Sequence, residues 1–455
     1  MFNNSSFNIL NKNSILNKLK LTTNNNSDEL YNSPKESKNK NFKFSIIVSI
    51  YNNGQYLKKI CFDSLKKSSL FNDIEIILVD DGSTDESTLQ IVQYLDTHYE
   101  NVKTYFFNDG GSGSPSRPRN MGVILSTTKY ITYLDPDNEA YGDGYTTLYN
   151  EISTNDYDLV IGEIIFKSST TEKPNSYCKS FITNNNGESY LYNGGKDMLL
   201  KTNFSAQSIQ ACLIKKDLLI DNNLKMVFGG AGEDTLFFYE LLVNSQKTKV
   251  IEDIIHIYHM SREDSITNDI NRSFFRKHLN VELEKRSFLE KNNLLLPYIE
   301  NKHDFYFKHF IFFKLNNVIN DNEKEYCFNY IDSMYKIYYD VWKVKDATLK
   351  NYFKERNIYR DKPFDETLIV YLQDYSLKDT LDKLSEKNKL DNVEIILISF
   401  NLKLAENINQ AQLFESMHKN VKLYYLNTKE NISNFEIKKR SLSMVTTNKV
   451  SYINK

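Results

Sequence analysis

Apolar and polar positions change their period several times along the chain. Residues 1–41, including "TTNNNSDELYNSPKESKNKN", hold too few apolar residues for a core and read as a flexible extension, with a short helix at "SILNKLKL". From residue 42 the pattern changes. "FKFSIIVSIYN" has the unbroken apolar run of a buried strand, and "GQYLKKICFDSLKKS" repeats its apolar residues at helical spacing. "DIEIILVDDGSTDESTLQIVQYL" gives strand, turn and helix again. "NVKTYFFND", a Gly/Ser/Pro loop, a helix around "RNMGVILS" and the strand "KYITYLDPD" follow. Strands alternating with helices at this spacing predict an α/β domain with a doubly wound parallel sheet. Residues 271–361 turn helical and aromatic, as in "HDFYFKHFIFFKLNNVI" and "EYCFNYIDSMYKIYYDVW". Aromatic stripes at helical spacing fill cores, and His278, His303 and His309 among them read as structural.

Residues 362–455 echo the first domain at one offset. "NVEIILIS" repeats "DIEIILVD", "NVKLYYLN" repeats "NVKTYFFN", and "TTNKVSYIN" repeats "TTKYITYLD", each 319 residues on (Glu75 to Glu394). The polar ends differ. Ser399 and Phe400 stand for Asp80 and Asp81, and Asn454 stands for Asp135. The segment therefore reads as a partial, degenerate second copy that lacks the acidic strand ends.

Composition narrows the function. With 57 basic and 59 acidic residues there is no excess charge to hold nucleic acid or an anionic membrane. Four cysteines without CxxC spacing argue against a zinc site or a disulfide framework and fit a reducing compartment. Neither a transmembrane run nor a signal-peptide core is expected, which points to the cytoplasm, with peripheral attachment at the inner face of the membrane as the variant reading. The abundance of Asn, Lys, Ile and Tyr matches the drift of an AT-rich bacterial genome.

Candidate chemistry collects at predicted strand ends, where open α/β sheets bind ligands. Asp135 and Asp137 in "YLDPDNE" follow their apolar run, and two carboxylates so close call for a cation or donors between them. "DYD", Asp156 to Asp158, has the same spacing but precedes its strand. "VDDGSTD" ends the second strand, where Asp85 and Ser83 also suit a helix cap. "GGSGSPSRPRNMG" offers pliant backbone and two guanidiniums, of which Arg117 reads equally well as a solvated charge. "GEDTLF" sets Glu233 and Asp234 at a helix start, where a carboxylate is stabilised as the anion.

"FSIIVSIYNNGQYLKKICFDSL", "EIILVDDGSTDES", "PRNMGVILSTTKYITYLDPDNE", "GGAGEDTLFFYELL" and "YHMSREDSIT", in that order over about residues 42–268, resemble the family-2 glycosyltransferases of the GT-A fold. The resemblance implies a GT-A doubly wound mixed sheet over 42–270, and that the degenerate GT-A-like repeat over 362–455, lacking the acidic positions, binds no nucleotide. The helical segment over 271–361 and the repeat itself are read from the apolar pattern. It implies that Asp81 reads a uracil base, with Asp80 supporting the loop and Ser49 and Tyr51 lining the pocket. Arg119 and Asn120 match the pair beside the diphosphate, although Pro118 stands where the family often has Ala. Asp137 matches a ligand of Mn²⁺ or Mg²⁺, and Asp135 a group for the ribose and the metal's outer shell. Asp234 matches the catalytic base and Glu233 its acidic neighbour. His259 and Arg262 on a late loop are expected at the metal and the diphosphate, and His256 in the core.

The function so implied is an inverting, metal-dependent transfer of a sugar from a UDP-sugar to a hydroxyl of a glycan, wall polymer or glycoprotein. A non-catalytic partner or scaffold protein and a sugar nucleotidyltransferase are the alternatives. The latter wants a basic Gly-rich loop after the first strand, which "IYNNGQYL" does not supply.

Overall fold

The computed structural model describes residues 41–260, 270–318, 320–360, 364–372, 392–399, 405–418, 420–425, 434–445 and 449–453, with single positions between them. The N-terminal extension, Arg262, Phe400 and Asn454 lie outside the described residues. Two compact units divide the chain. One joins the residues through Met226 with Glu233–Glu263, and the other joins Val227–Gly232 with the residues from Asp264 on.

The first unit is built on ten strands: β1 (Phe44–Ile50), β2 (Ile74–Asp80), β3 (Val102–Phe106), β4 (Tyr130–Tyr133), β5 (Glu139–Ala140), β6 (Leu159–Lys167), β7 (Glu172–Pro174), β8 (Tyr190–Tyr192), β9 (Cys212–Lys215) and β10 (Lys247–His259). They are ordered β3-β2-β1-β4-β9-β6-β10-β5, with β7 beside β6 and β8 beside β10. β1 pairs in parallel with β2 and β4, β2 with β3, and β6 with β10. β9 runs antiparallel between β4 and β6, so the sheet is mixed. Every residue of β1 and of β2 is buried, as their unbroken apolar runs require of strands covered on both faces.

Two local choices aim the loops at the strand ends. Asp85 starts the helix Glu86–His98, its carboxylate accepting from Thr88 N at 2.6 Å. Such a cap is worth about 1 kcal/mol. The helix Ser116–Leu125 comes so close to β1 that a Cβ on Gly122 would stand 2.2 Å from Ile47 Cγ2. Only glycine permits that approach.

The second unit begins with helices Arg272–Lys291, 295–316, Asp321–Ile337 and Ala347–Arg360. Their aromatic residues, with Trp342 from the connection before the last helix, form the core, Trp342 lying 4.8 Å from Phe307 and 5.5 Å from Phe353 between ring centroids. His303 is buried 4.3 Å from Trp342, and burial depresses its pKa well below the ordinary value. Burial likewise takes His278 down to about 3. The short loop Val227–Gly232 leans on the first of these helices. Ala231 N donates to Lys277 O at 3.4 Å, and Asn280 Nδ2 to Gly229 O at 3.5 Å.

The same unit contains a four-stranded parallel sheet of β11 (Glu366–Leu372), β12 (Val393–Ser399), β13 (Val421–Tyr425) and β14 (Val450–Ile453), ordered β13-β12-β11-β14. This reproduces β3-β2-β1-β4. Register agrees too: Ile76 faces Val102 as Ile395 faces Val421, and Ser45 faces Ile131 as Thr367 faces Val450. The offset is 319 residues for three strands but 322 for β1 and β11, which hides that pair from a search at fixed offset.

A buried polar knot recurs in both sheets. Ser45 Oγ donates to Glu75 Oε2 at 2.5 Å and lies 2.7 Å from Thr128 Oγ1, while Lys103 pairs with the other carboxylate oxygen. In the second copy Thr367 Oγ1 donates to Glu394 Oε2 at 2.6 Å and lies 2.7 Å from Thr447 Oγ1. Lys422 Nζ pairs with Glu394 Oε1 at 2.6 Å. Glu394 is fully buried and Lys422 is 3% exposed. Breaking such a pair from one side strands a charge in the interior, at about 3–5 kcal/mol. Lys422→Met is therefore expected to lower the unfolding midpoint of the second unit in urea, and Lys422→Met combined with Glu394→Leu to recover most of the loss. Equal midpoints for wild type and Lys422→Met would contradict this.

Candidate active site

The ends of β1, β2 and β4 open on one side of the first sheet, and the loops after them carry the polar residues. Asp80 closes the first loop on itself. It is buried and accepts from Gly82 N at 3.1 Å, Ser83 N at 2.9 Å and Ser83 Oγ at 2.5 Å. Its role in the fold is to shape the turn that presents Asp81.

Asp81 is buried too, accepting from Ser112 N at 2.8 Å, Ser112 Oγ at 2.7 Å and Arg117 Nε at 2.6 Å. Burial pushes its carboxyl above the usual range, opposed by Arg117 and Ser112. Arg117 is no solvated charge. Its guanidinium also pairs with Asp109 and lies 3.9 Å over the Phe107 ring. Beside them Tyr51 is half-exposed, donating from Oη to Gly110 O at 3.2 Å. Gly111 lies beneath its ring with φ +101°, and a Cβ there would come 2.6 Å from Tyr51 Cε2. The result is an aromatic face next to a buried carboxylate, with Ser49 buried near the end of β1.

A second cluster forms after β4. Arg119, 5% exposed, donates from Nη2 to Asp135 Oδ1 at 2.7 Å and from Nη1 to Glu233 Oε1 at 3.1 Å. Asn120 binds both backbone groups of Met226, donating to its carbonyl and accepting from its N–H at 2.9 Å each. Asp135 Oδ2 accepts from Gln210 Nε2 at 2.9 Å. Asp137 is partly exposed on the turn that follows. Asn138 Oδ1 accepts from His259 N at 3.3 Å, and the His259 ring approaches Glu139 at 3.6 Å.

Glu233 and Asp234 begin the helix Glu233–Asn244. Glu233 is buried, and its carboxyl is pushed up to about 7 by that burial and by Asp234, with Arg119 opposing. Asp234 is partly exposed, and its Oδ1 accepts from Thr235 N at 2.8 Å. Burial raises its pKa as well, again opposed by Arg119. Of the two, Asp234 is the one open to a reactant. His256 is buried and neutral, its pKa depressed by burial to about 4.

The structure thus brings Asp135, Arg119, Glu233 and their neighbours into one cluster, and Asp81, Arg117 and Ser112 into another. Asp156 and Asp158 lie elsewhere: Asp156 pairs with Lys129 and Lys215, and Asp158 accepts from Gln246 N and Lys247 N. Gln210, Ser112 and Asp109 escape the sequence reading. Only the Gly/Ser loop around Ser112 carried a local signal.

A mixed sheet with acidic loops at its strand ends and a helix headed by two carboxylates is an arrangement of GT-A type. Residues 45–221 match the model "Glycosyl transferase family 2". It is 27% identical over 240 residues to the poly(ribitol-phosphate) beta-N-acetylglucosaminyltransferase TarP of Staphylococcus aureus, covering 51% of this chain and 69% of that protein. It is 23% identical over 336 residues to the minor teichoic acid biosynthesis protein GgaA of Bacillus subtilis, covering 69% and 70%. The fold is similar to a crystal structure of S. aureus TarS residues 1–349 in complex with UDP-GlcNAc, with a TM-score of 0.51 at 20% identity, covering 65% and 81%. Among the described residues no helix is long and apolar enough to cross a membrane.

Glu233 holds its proton more tightly in the folded chain than in the unfolded one. Its contribution to stability is present at acid pH and is lost as pH rises from the ordinary 4.5 through about 7. Measured by urea unfolding, Glu233→Gln should gain on wild type by about 1–3 kcal/mol across that window and stay level above it. A constant difference from pH 4.5 to 8 would refute the raised pKa.

Proposed function

We propose that the chain is an inverting glycosyltransferase that moves a sugar from a UDP-sugar to a hydroxyl of a glycan, wall polymer or glycoprotein. The observation that carries this is the partly exposed Asp234 at a helix start, in one unit with the held Asp135 and the presented Asp137. The half-exposed Tyr51 ring and the buried Asp81 suit a uracil, which offers a flat face and an N–H to a carboxylate. TarS was crystallised with UDP-GlcNAc, and TarP is described as an N-acetylglucosaminyltransferase acting on poly(ribitol-phosphate). UDP-GlcNAc and a polyol-phosphate polymer are therefore the first donor and acceptor to try. The four buried free thiols suit a reducing, cytoplasmic setting.

In this reading Asp234 takes the acceptor hydroxyl's proton as the new bond to the anomeric carbon forms. Arg119 keeps Glu233 and Asp135 in place around it. Attack comes from the face opposite the diphosphate, so the configuration inverts. Arg117 and Ser112 hold Asp81 ready for the base.

Among the described residues no group of three or more His, Cys, Asp or Glu forms a metal cage. That donor set still fits Mn²⁺ or Mg²⁺, because such an ion binds through one or two carboxylates and the substrate's phosphates. Asp137 would hold it, with Asp135 in the outer shell, and it would offset charge on the leaving diphosphate. His259, drawn toward Glu139, is the further ligand proposed.

Asp234→Asn keeps the shape but cannot take a proton. Transfer is expected to fall by about 10²-fold or more while UDP-sugar affinity stays near wild type. NMR of the product should report the inverted anomer; retained configuration rejects the mechanism. Asp137→Ala should abolish Mn²⁺-dependent UDP release, and Asp156→Ala should leave it intact. Full activity in chelator would remove the metal from the scheme.

A further inference from the structure

Gln210 precedes β9 in a single helical turn, Ile209–Ala211, and its side chain is 4% exposed. Its amide is almost fully used. Oε1 accepts from Asp135 N at 2.8 Å and from Asn138 Nδ2 at 3.0 Å, and Nε2 donates to Asp135 Oδ2 at 2.9 Å. These partners fix which end is oxygen. Turned over, the NH₂ would face two donors.

Asp135 and Asn138 are the first and last residues of a tight turn, closed by Asn138 N donating to Asp135 O at 3.0 Å. One amide therefore clamps both ends of the turn, and with the ends held, the third residue, Asp137, has a set direction. The clamp is itself anchored. Tyr145 Oη donates to Gln210 O at 2.9 Å, and Ser208 Oγ accepts from Gln210 N at 3.3 Å. Through Asn138 it reaches the end of β10, at His259 N.

The residue type follows from the job. The site needs an acceptor for two N–H groups and a donor for a carboxylate, at one place and in the dark of the interior. Lysine or arginine would lack the acceptor and would add a second cation beside Asp135, with which Arg119 already pairs. Glutamate would set a carboxylate against a carboxylate. A neutral amide orients Asp135 without cancelling the charge that the turn presents.

Resting on the donor-site reading above, we propose that Gln210 is a positioning residue that fixes the Asp135–Asp137 turn for the metal-bound diphosphate of the donor. It touches neither the base nor the reacting atoms. Loss of the clamp should then weaken the diphosphate end of donor binding and leave the base pocket at Asp81 unchanged. Partners one step out from a metal typically alter affinity by about 10–100-fold.

Two variants of the full chain test this by titration calorimetry. Gln210→Met keeps the volume and removes every side-chain hydrogen bond; Asn138→Ala removes one of the two groups on Oε1. Affinity for UDP in excess Mn²⁺ is expected to fall about tenfold or more in Gln210→Met and less in Asn138→Ala. Uridine affinity, with no phosphate and no metal, is expected to stay within about twofold in both. A merely structural defect would weaken uridine and UDP alike, and that result overturns the proposal. So does UDP binding in Mn²⁺ that stays within twofold of wild type in both variants. If wild type binds no UDP, the donor-site reading falls and takes the proposal with it. Wild-type binding with an unchanged Gln210→Met removes the proposal alone.

Discussion

A buried guanidinium organises the acidic site. Arg119 lies between Asp135, just past the end of a strand, and Glu233, at the start of a helix and 114 residues after Arg119 itself. Two carboxylates brought together out of water repel, and each pays a desolvation penalty of several kcal/mol. One cation hydrogen-bonded to both makes their juxtaposition tolerable. Glu233 still keeps a pKa near 7, so Arg119 does not fully compensate its burial and the nearby Asp234. Asn120 adds a mechanical tie by holding the Met226 peptide from both sides. Adjacent residues on one helix thus secure the strand end and the approach to the acidic helix together.

The two sheets separate what a fold needs from what a ligand needs. Serine or threonine, glutamate and lysine recur at matching positions across three strands, and Asn101 and Asn420 each donate to the backbone of the neighbouring strand's start, at Ile74 and Val393. Asp80, which shapes the loop under Asp81, has Ser399 as its counterpart at the end of β12. A buried network resists single substitutions, because each partner lost leaves another unpaired in the interior. The knot is thus common to both sheets, whereas the acid that ends β2 gives way to Ser399 at the end of β12.

Much of this was legible in the sequence because it is local. Continuous apolar runs gave β1 and β2, and the "TTK" and "NVK" echoes exposed the second copy. Its first strand stayed hidden, since three residues of length difference break the offset and Thr367 replaces Ser45. β9 was missed for another reason: four residues are too few to show a period, and its antiparallel course is a tertiary choice. With β9 unseen, Gln210 had no visible reason to meet Asp135, 75 residues away. Arg119 illustrates a third limit. Beside a glycine-rich loop a guanidinium suggests phosphate, whereas in the fold it is enclosed by carboxylates. Arg117, two residues earlier on the same helix, finds Asp81 and Asp109.

The loop Val227–Gly232 belongs with the second unit, yet the very next residue, Glu233, opens a helix of the first. Its hydrogen-bond partners, Lys277 and Asn280, come more than forty residues later in the chain. During synthesis the acidic helix therefore leaves the ribosome before the helix that steadies its approach. At about 5–20 residues per second, that interval is on the order of 2–10 s. Through it, the nascent sheet can close around its core while the entry to the acidic helix still lacks these supports. The hydrogen-bond partners of this loop are thus supplied only by a later stretch of the message.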